Sequence, residues 1–181
     1  MSNPPTNSQS VIMEENEHEL IYSAIKERLN KDVKEIKKLY QATVDGFKPQ
    51  IFHSKCDNIP NTLVLIKSEG NRRFGGFTTC KWTSSLYGEP GYDENTFLFS
   101  LDKKLIYPHT GEGRAIFSKG ECGPIFGGAC DIYVKDYIFY TNESCTTTIY
   151  FNYNGDKNAL SESGNARKEY YTELEVIEVI F

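Results

Sequence analysis

His53 and Cys56 stand three residues apart, a spacing that puts an imidazole and a thiol on one helix face. Such a pair supports either a thiolate nucleophile or half of a metal site. A zinc site needs about four ligands, and His18 and His109 have no second closely spaced ligand. A helix-packing cysteine beside a solvent-facing histidine is the simpler reading. Asp131 and Glu178 sit among apolar strand residues and would serve as acid and base only if the fold joined them. Strand alternation more commonly turns such carboxylates to water. Arg72 and Arg73 beside Phe74 and Phe77 resemble a base-stacking patch, but the chain lacks a wider basic stripe, so they read as a hairpin edge. Neither diglycine, Gly75-Gly76 nor Gly127-Gly128, matches a phosphate-binding loop. No GxSxG, HExxH or ordered Ser/His/Asp set occurs either.

The elements that must position these groups read as mainly β. With 181 residues, 39% of them hydrophobic, the chain can bury one core with an appendage. Its net charge of -5 offers no footprint for nucleic acid. No apolar run reaches the ~20 residues of a membrane span, and the start lacks a secretory signal, which predicts a soluble, cytoplasmic protein without membrane insertion. Cys56, Cys80, Cys122, Cys130 and Cys145 are odd in number and form no CxxC, so reduced, largely buried thiols are expected. Asn142 opens a glycosylation triplet that such a protein would not use.

Residues 1–13 are expected to be a disordered tail, and residues 14–38 an N-terminal helical extension. Ile21, Ile25, Leu29, Val33, Ile36 and Tyr40 recur at helical spacing, predicting an amphipathic helix from about Glu14 to Tyr40. Asn30 is placed to cap a second helix and split that segment. The apolar stripe packs on its own domain or docks on another chain. Phe47, Ile51, Phe52 and Cys56 suggest a further short helix. Strands are expected at 62–67 and 72–82, joined through Ser68-Glu69-Gly70-Asn71, and at 96–101, 105–107, 114–117, 132–134 and 147–153. Residues 84–95 and 154–168 read as loops. The alternation of the closing segment changes phase between Val176 and Ile177, which fits a strand covered on both faces or one carrying a bulge. Each diglycine marks a bulge, a corner or a close backbone approach.

Several blocks occur in an order that resembles the TLDc domain. They are Leu39 to Phe47 with Asp45-Gly46-Phe47, Phe52 to Asn58, Thr62 to Lys67, Phe74-Gly75-Gly76-Phe77-Thr78 with Trp82, and Phe97 to Leu101. Gly123-Pro124-Ile125-Phe126-Gly127-Gly128 with Asp131-Ile132, and Ile177-Glu178-Val179, complete the series. The resemblance covers residues 39–181 and implies a sandwich of two antiparallel sheets with short flanking helices. It also implies a link to oxidative-stress resistance. The implied partner is the peripheral, ATP-hydrolysing sector of a vacuolar-type proton ATPase, to which the domain is recruited on an organelle surface and whose assembly it changes. No catalytic mechanism or cofactor belongs to that expectation. The alternatives are an adaptor subunit of another large assembly, tethered by the N-terminal helix, and a small redox or hydrolytic enzyme using Cys56 and His53. The contact segments expected are the N-terminal helix and the terminal strand Glu173 to Phe181.

Overall fold

The computed structural model describes residues 9–128, 131–141, 151–156, 158–161 and 168–181. The expected disorder of residues 1–8, the Asn142 triplet, Cys130, Cys145 and most of the strand expected at 147–153 lie outside them. A 3-10 turn at Glu15–Glu17 leads into helix α1 (His18–Leu29). Strand β1 (Glu35–Gln41) and helices α2 (Ala42–Asp45) and α3 (Pro49–Cys56) follow. The remaining strands are β2 (Thr62–Ser68), β3 (Arg73–Thr78), β4 (Glu89–Gly91), β5 (Phe97–Ser100), β6 (Leu105–Pro108) and β7 (Ile116–Ser118). After them come β8 (Ile125–Phe126), β9 (Ile132–Lys135), β10 (Ile138–Thr141) and β11 (Glu169–Ile180).

Among the described residues, the eleven strands belong to one antiparallel sheet, ordered β4-β7-β8-β9-β10-β11-β2-β3-β5-β6, with β1 also paired to β11. The start of β11 pairs with β10, at Tyr170 and Glu169, whereas its later residues pair with β2 on one side and β1 on the other. β11 is therefore the corner at which the sheet passes from one layer to the other. The two layers enclose a core containing Tyr40, Phe52, Val64, Ile66, Phe74, Trp82, Phe126, Ile132, Phe139, Leu174 and Val176. A second core lies on the outer face of the β2–β3–β5 layer, where Ile12, Met13, Ile21, Ala24 and Ile25 cover Leu63, Leu65, Phe77, Phe97, Phe99, Ile177 and Val179. This arrangement bears out the mainly β, sandwich-like expectation and settles the phase change at the C-terminus. Val176 and Ile177 face different cores, and their pairing with Val64 and Leu63 is continuous, so β11 is covered on both faces. β11 does carry a register shift, but between Tyr171 and Glu173.

The long N-terminal helix is corrected. α1 stops at Leu29, where Asn30 adopts a left-handed conformation (φ 53°) and donates its N–H to Lys26. Ile36 and Tyr40 belong to β1 instead. Lys38 pairs with Ile177 but Tyr40 with Val176, so Leu39 is an extra residue that bulges. The bulge sends Ile36 to the outer core and Tyr40 to the inner one. A spacing of four is compatible with a helix face or with a bulged strand, and pairing with β11 selects the strand. The N-terminal tail is also corrected: Ser10, Ile12 and Met13 are buried. Three further strands fall outside the expected ranges: β4 inside the expected loop, the two-residue β8, and β10, whose Tyr140 and Thr141 look like turn-flanking polarity in isolation.

Gly75 and Gly76 lie in regular ladders with β2 and β5, so the first diglycine is neither bulge nor corner. Close approach is what requires it. A Cβ on Gly76 would lie 2.7 Å from Leu98 and 2.8 Å from the Phe126 ring across the sandwich, and one on Gly75 would lie 1.9 Å from the Val64 carbonyl oxygen. Gly127 is different: it turns the chain between β8 and β9 at φ +77°. Because the neighbours of Gly75 and Gly76 are backbone or fully buried rings, Gly75→Ala or Gly76→Ala should each lower unfolding stability by about 2 kcal/mol or more in urea titration. A loss under about 0.5 kcal/mol would show that the layers can separate freely.

Candidate interaction surface

α3 delivers His53 and Cys56, and the two side chains part company. Cys56 points into the inner core with no exposure to water. Burial pushes its thiol far above the ordinary range, and the nearby Asp57 carboxylate adds to this. His53 is buried too, contrary to the solvent-facing expectation. Its Nδ1 is 2.7 Å from Asp57 Oδ1, and its Nε2 donates to the carbonyl oxygens of Lys119 and Cys122, each at 3.0 Å. Those bonds staple α3 to the segment after β7. No thiolate–imidazole pair is assembled, and the ring nitrogens are occupied by structural partners.

Asp131 and Glu178 are likewise apart. Asp131 sits just before β9 and accepts a 3.0 Å hydrogen bond from Tyr153 Oη, whereas Glu178 lies in the other layer opposite Lys37 and Thr62. Arg73 is no plain hairpin edge. Its guanidinium binds Glu17, Asp102 and the Ile12 carbonyl, fastening the N-terminal segment to β3. Among the described residues no group of three or more His, Cys, Asp or Glu side chains is placed to hold a metal ion.

The remaining signature residues are structural. Asp45 accepts the Gln41 N–H and pairs with Lys55 at 2.7 Å, Gly46 accepts the Tyr40 hydroxyl, and Phe47 packs on Tyr171. Phe74 contacts Phe139 across the sandwich. Trp82 lies edge-on to both Phe52 and Phe126, with its indole N–H on Thr62 Oγ1. Gly123 approaches Val134, Pro124 accepts the Val134 N–H, and Gly128 accepts from Arg114.

The expected contact segments are also placed differently. β11 is paired on both sides along most of its length, and α1 spends Ile21, Ala24 and Ile25 on its own sheet. Neither the terminal strand nor the apolar side of the helix is presented to another chain. Among the described residues, large apolar side chains reach water singly at Val11, Val44 and Leu105, but three come together in the loop around β4: Leu86 is 77% exposed, Tyr87 89% and Tyr92 72%. Elsewhere the rings of Tyr137 and Tyr170 stack on each other, with Lys168 over the second, so their faces are partly occupied.

The β4 loop is held firmly by its backbone. Gly88 (φ +84°) rests on the Phe117 ring, where a Cβ would come within 2.2 Å, and Arg114 lies 4.7 Å from the same ring. The Ser85 carbonyl accepts from Gly120, the Gly91 carbonyl from Ala115, and Glu89 from Thr83 Oγ1. At the loop's far end Asp93 accepts from Thr79 N, Thr96 Oγ1 and Asn95 N at 2.7–3.0 Å. Burial alone would raise the Asp93 carboxyl, but these bonds outweigh it and hold the group below its ordinary value. Pro90 contributes no N–H to β4 and blunts the sheet edge against strand addition. A fixed loop carrying exposed Leu and Tyr side chains is suited to side-chain docking on another protein. The sequence held a signal for it, a Leu-Tyr pair in a Gly/Pro-rich loop where neither strand nor helix would bury them.

With the fold and this surface established, the class is a mainly β sandwich-like domain with a structural interior. A family model described as the TLDc domain matches residues 6–179, and the chain belongs to that family. The match reaches well before Leu39, consistent with α1 and β1 being integral to the domain. Comparison with curated proteins returned no match.

Cys56 should react with a thiol reagent at neutral pH only after unfolding, while the half-buried Cys80 is labelled earlier; prompt native labelling of Cys56, read by peptide mass spectrometry, would contradict this burial. Asp93 predicts a pH dependence. Its folded carboxyl titrates below its unfolded value of about 4, so its stabilisation is complete above about pH 4 and is lost as pH falls through the lower folded value. Asp93→Asn should therefore differ most from the parent near pH 7 and converge on it in acid, measured by urea midpoints across pH.

Proposed function

We propose that this TLDc-family chain is a non-catalytic protein-interaction module. It docks on the peripheral sector of a vacuolar-type proton ATPase and modulates that sector's assembly or activity, within a response to oxidative stress. The observation that carries the docking role is the β4 loop, braced at Ser85, Gly88, Glu89 and Gly91, which keeps Leu86, Tyr87 and Tyr92 in water although each gains by burial. Rigid aromatic anchors lose little entropy on binding, which favours them at the centres of interfaces. The choice of partner rests on the family. A module that shifts an assembled-versus-dissociated equilibrium must bind one state more tightly than the other.

An adaptor tethered through residues 14–38 draws no support from the packing, because α1 covers its own sheet and residues 35–38 lie in β1. An enzyme using Cys56 and His53 draws none from the positions of those side chains.

Purified protein should co-sediment with the peripheral sector and change its ATPase rate. Leu86→Asp, Tyr87→Asp and Tyr92→Asp combined should weaken that binding about tenfold or more, with an unchanged circular-dichroism spectrum. Absence of co-sedimentation by the parent protein would sink the choice of partner. Unimpaired binding by the folded triple variant would sink the assignment of the loop.

A further inference from the structure

Residues 10–17 touch the sheet in an unusual way. They belong to no strand, and the backbone–backbone hydrogen bonds Glu17 N–H to the Glu14 carbonyl and His18 N–H to the Glu15 carbonyl stay within the segment and the start of α1. The polar ties to the sheet run through two side chains. Glu175 on β11, with no exposure to water, accepts the Ser10 hydroxyl, the Val11 N–H at 3.1 Å and the Ile12 N–H at 3.2 Å, while Lys38 pairs with the same carboxylate. Arg73 on β3 binds the Ile12 carbonyl and the Glu17 carboxylate. Ile12 and Met13 are buried in the outer core, the cluster that also holds Leu65 and Phe99. Ser10 also accepts the N–H groups of Ile12 and Met13, so one short turn offers the carboxylate a hydroxyl and two backbone donors. Beside the segment, a cleft of about 500 Å³ separates it from Lys67 and Asn71.

The segment is held in the manner of a bound peptide, by one buried anchor charge, a few main-chain donors and two apolar plugs, and no strand ladder joins it to the sheet. The β2–β11 and β2–β3 ladders beneath are complete without it. Its departure would therefore cost the contacts of its own side chains and leave the sheet paired, which is the condition for local rather than global opening.

We propose that residues 10–17 are a displaceable strap, a ligand held in cis. The groove it fills is a docking site for an extended partner segment that presents a hydroxyl and successive backbone N–H groups to Glu175, followed by two aliphatic side chains. The strap's own Ser10-Val11-Ile12-Met13 states the chemistry of that partner. A second negative charge at Ser10, delivered beside a carboxylate that cannot reach water, would expel the strap and vacate the groove. This inference does not depend on which assembly the β4 loop engages.

The test uses the full chain. In native-state amide exchange read by mass spectrometry, the amides of Val11, Ile12 and Met13 should exchange about tenfold or more faster than those of β2 and β11, as expected for a separate opening. A labelled synthetic peptide of residues 8–17 should bind a Ser10→Glu chain about tenfold more tightly than the parent, in which the strap competes; the same peptide carrying Ser10→Glu should not bind. Exchange of the strap amides only at the rate of the central strands would overturn the proposal. So would failure of the folded Ser10→Glu chain to bind the peptide. If that variant does not fold, the parent exchange rates decide alone.

Discussion

The carboxylate of Glu175 has no access to water, and it sits on the strand where both layers of the sheet converge. Burying a lone charge costs several kcal/mol, so the carboxylate must collect partners, and it does: an ammonium group, a hydroxyl and backbone donors. Meeting that requirement draws residues 10–12 onto the sheet, and with them Ile12 and Met13 onto its outer face. α1 follows a few residues later and completes the cover. β11 can then be apolar on both sides, which lets it serve as the hinge between layers and as the centre of one of them. The order of events in the chain is reversed in space: residues near the N-terminus are placed by a demand created near the C-terminus.

The inner core meets a different constraint, the distance between the layers. Tyr40, Phe52, Trp82 and Phe126 contact one another in sequence with ring centroids 5.6–6.1 Å apart, each pair edge-on. Edge-to-face rings gain from their quadrupoles but need room. Gly76 provides it by letting Phe126 lie against bare backbone. The polar ends of these aromatics are satisfied locally, the Trp82 indole on Thr62 and the Tyr40 hydroxyl on Gly46. Groups that could have done chemistry are used in the same way. His53 joins α3 to two carbonyls, and Cys56 fills volume. The burial that makes Cys56 useful to the fold also disfavours its thiolate. The cluster of apolar residues left outside on the braced β4 loop offers a binding surface.

Legibility from the sequence tracked the range of the interaction responsible. The β2–β3 hairpin, the short helix at α3 and strands β5, β6, β7 and β9 were readable because alternation, helical spacing and turn residues are local properties. The class of fold and its family followed from the order of such blocks. Reading failed where two local patterns coincide. A spacing of four at Ile36 and Tyr40 suits a helix, and only the pairing of β1 with β11, some 140 positions away, exposes the bulge at Leu39. Likewise nothing near Ser10 announces Glu175, and a polar N-terminus reads as disorder until the buried carboxylate is known.

The amino-acid order by itself therefore determined a mainly β, acidic domain with alternating strands and two glycine pairs, since each of these is written in neighbouring residues. Tertiary structure alone decided that His53 and Cys56 turn to different partners, that the C-terminal strand lies inside the sheet, that residues 10–17 close over a buried charge, and that Leu86, Tyr87 and Tyr92 remain in water. The reason is physical: burial and pairing are relations between distant segments, and neither can be assigned until the chain has closed on itself.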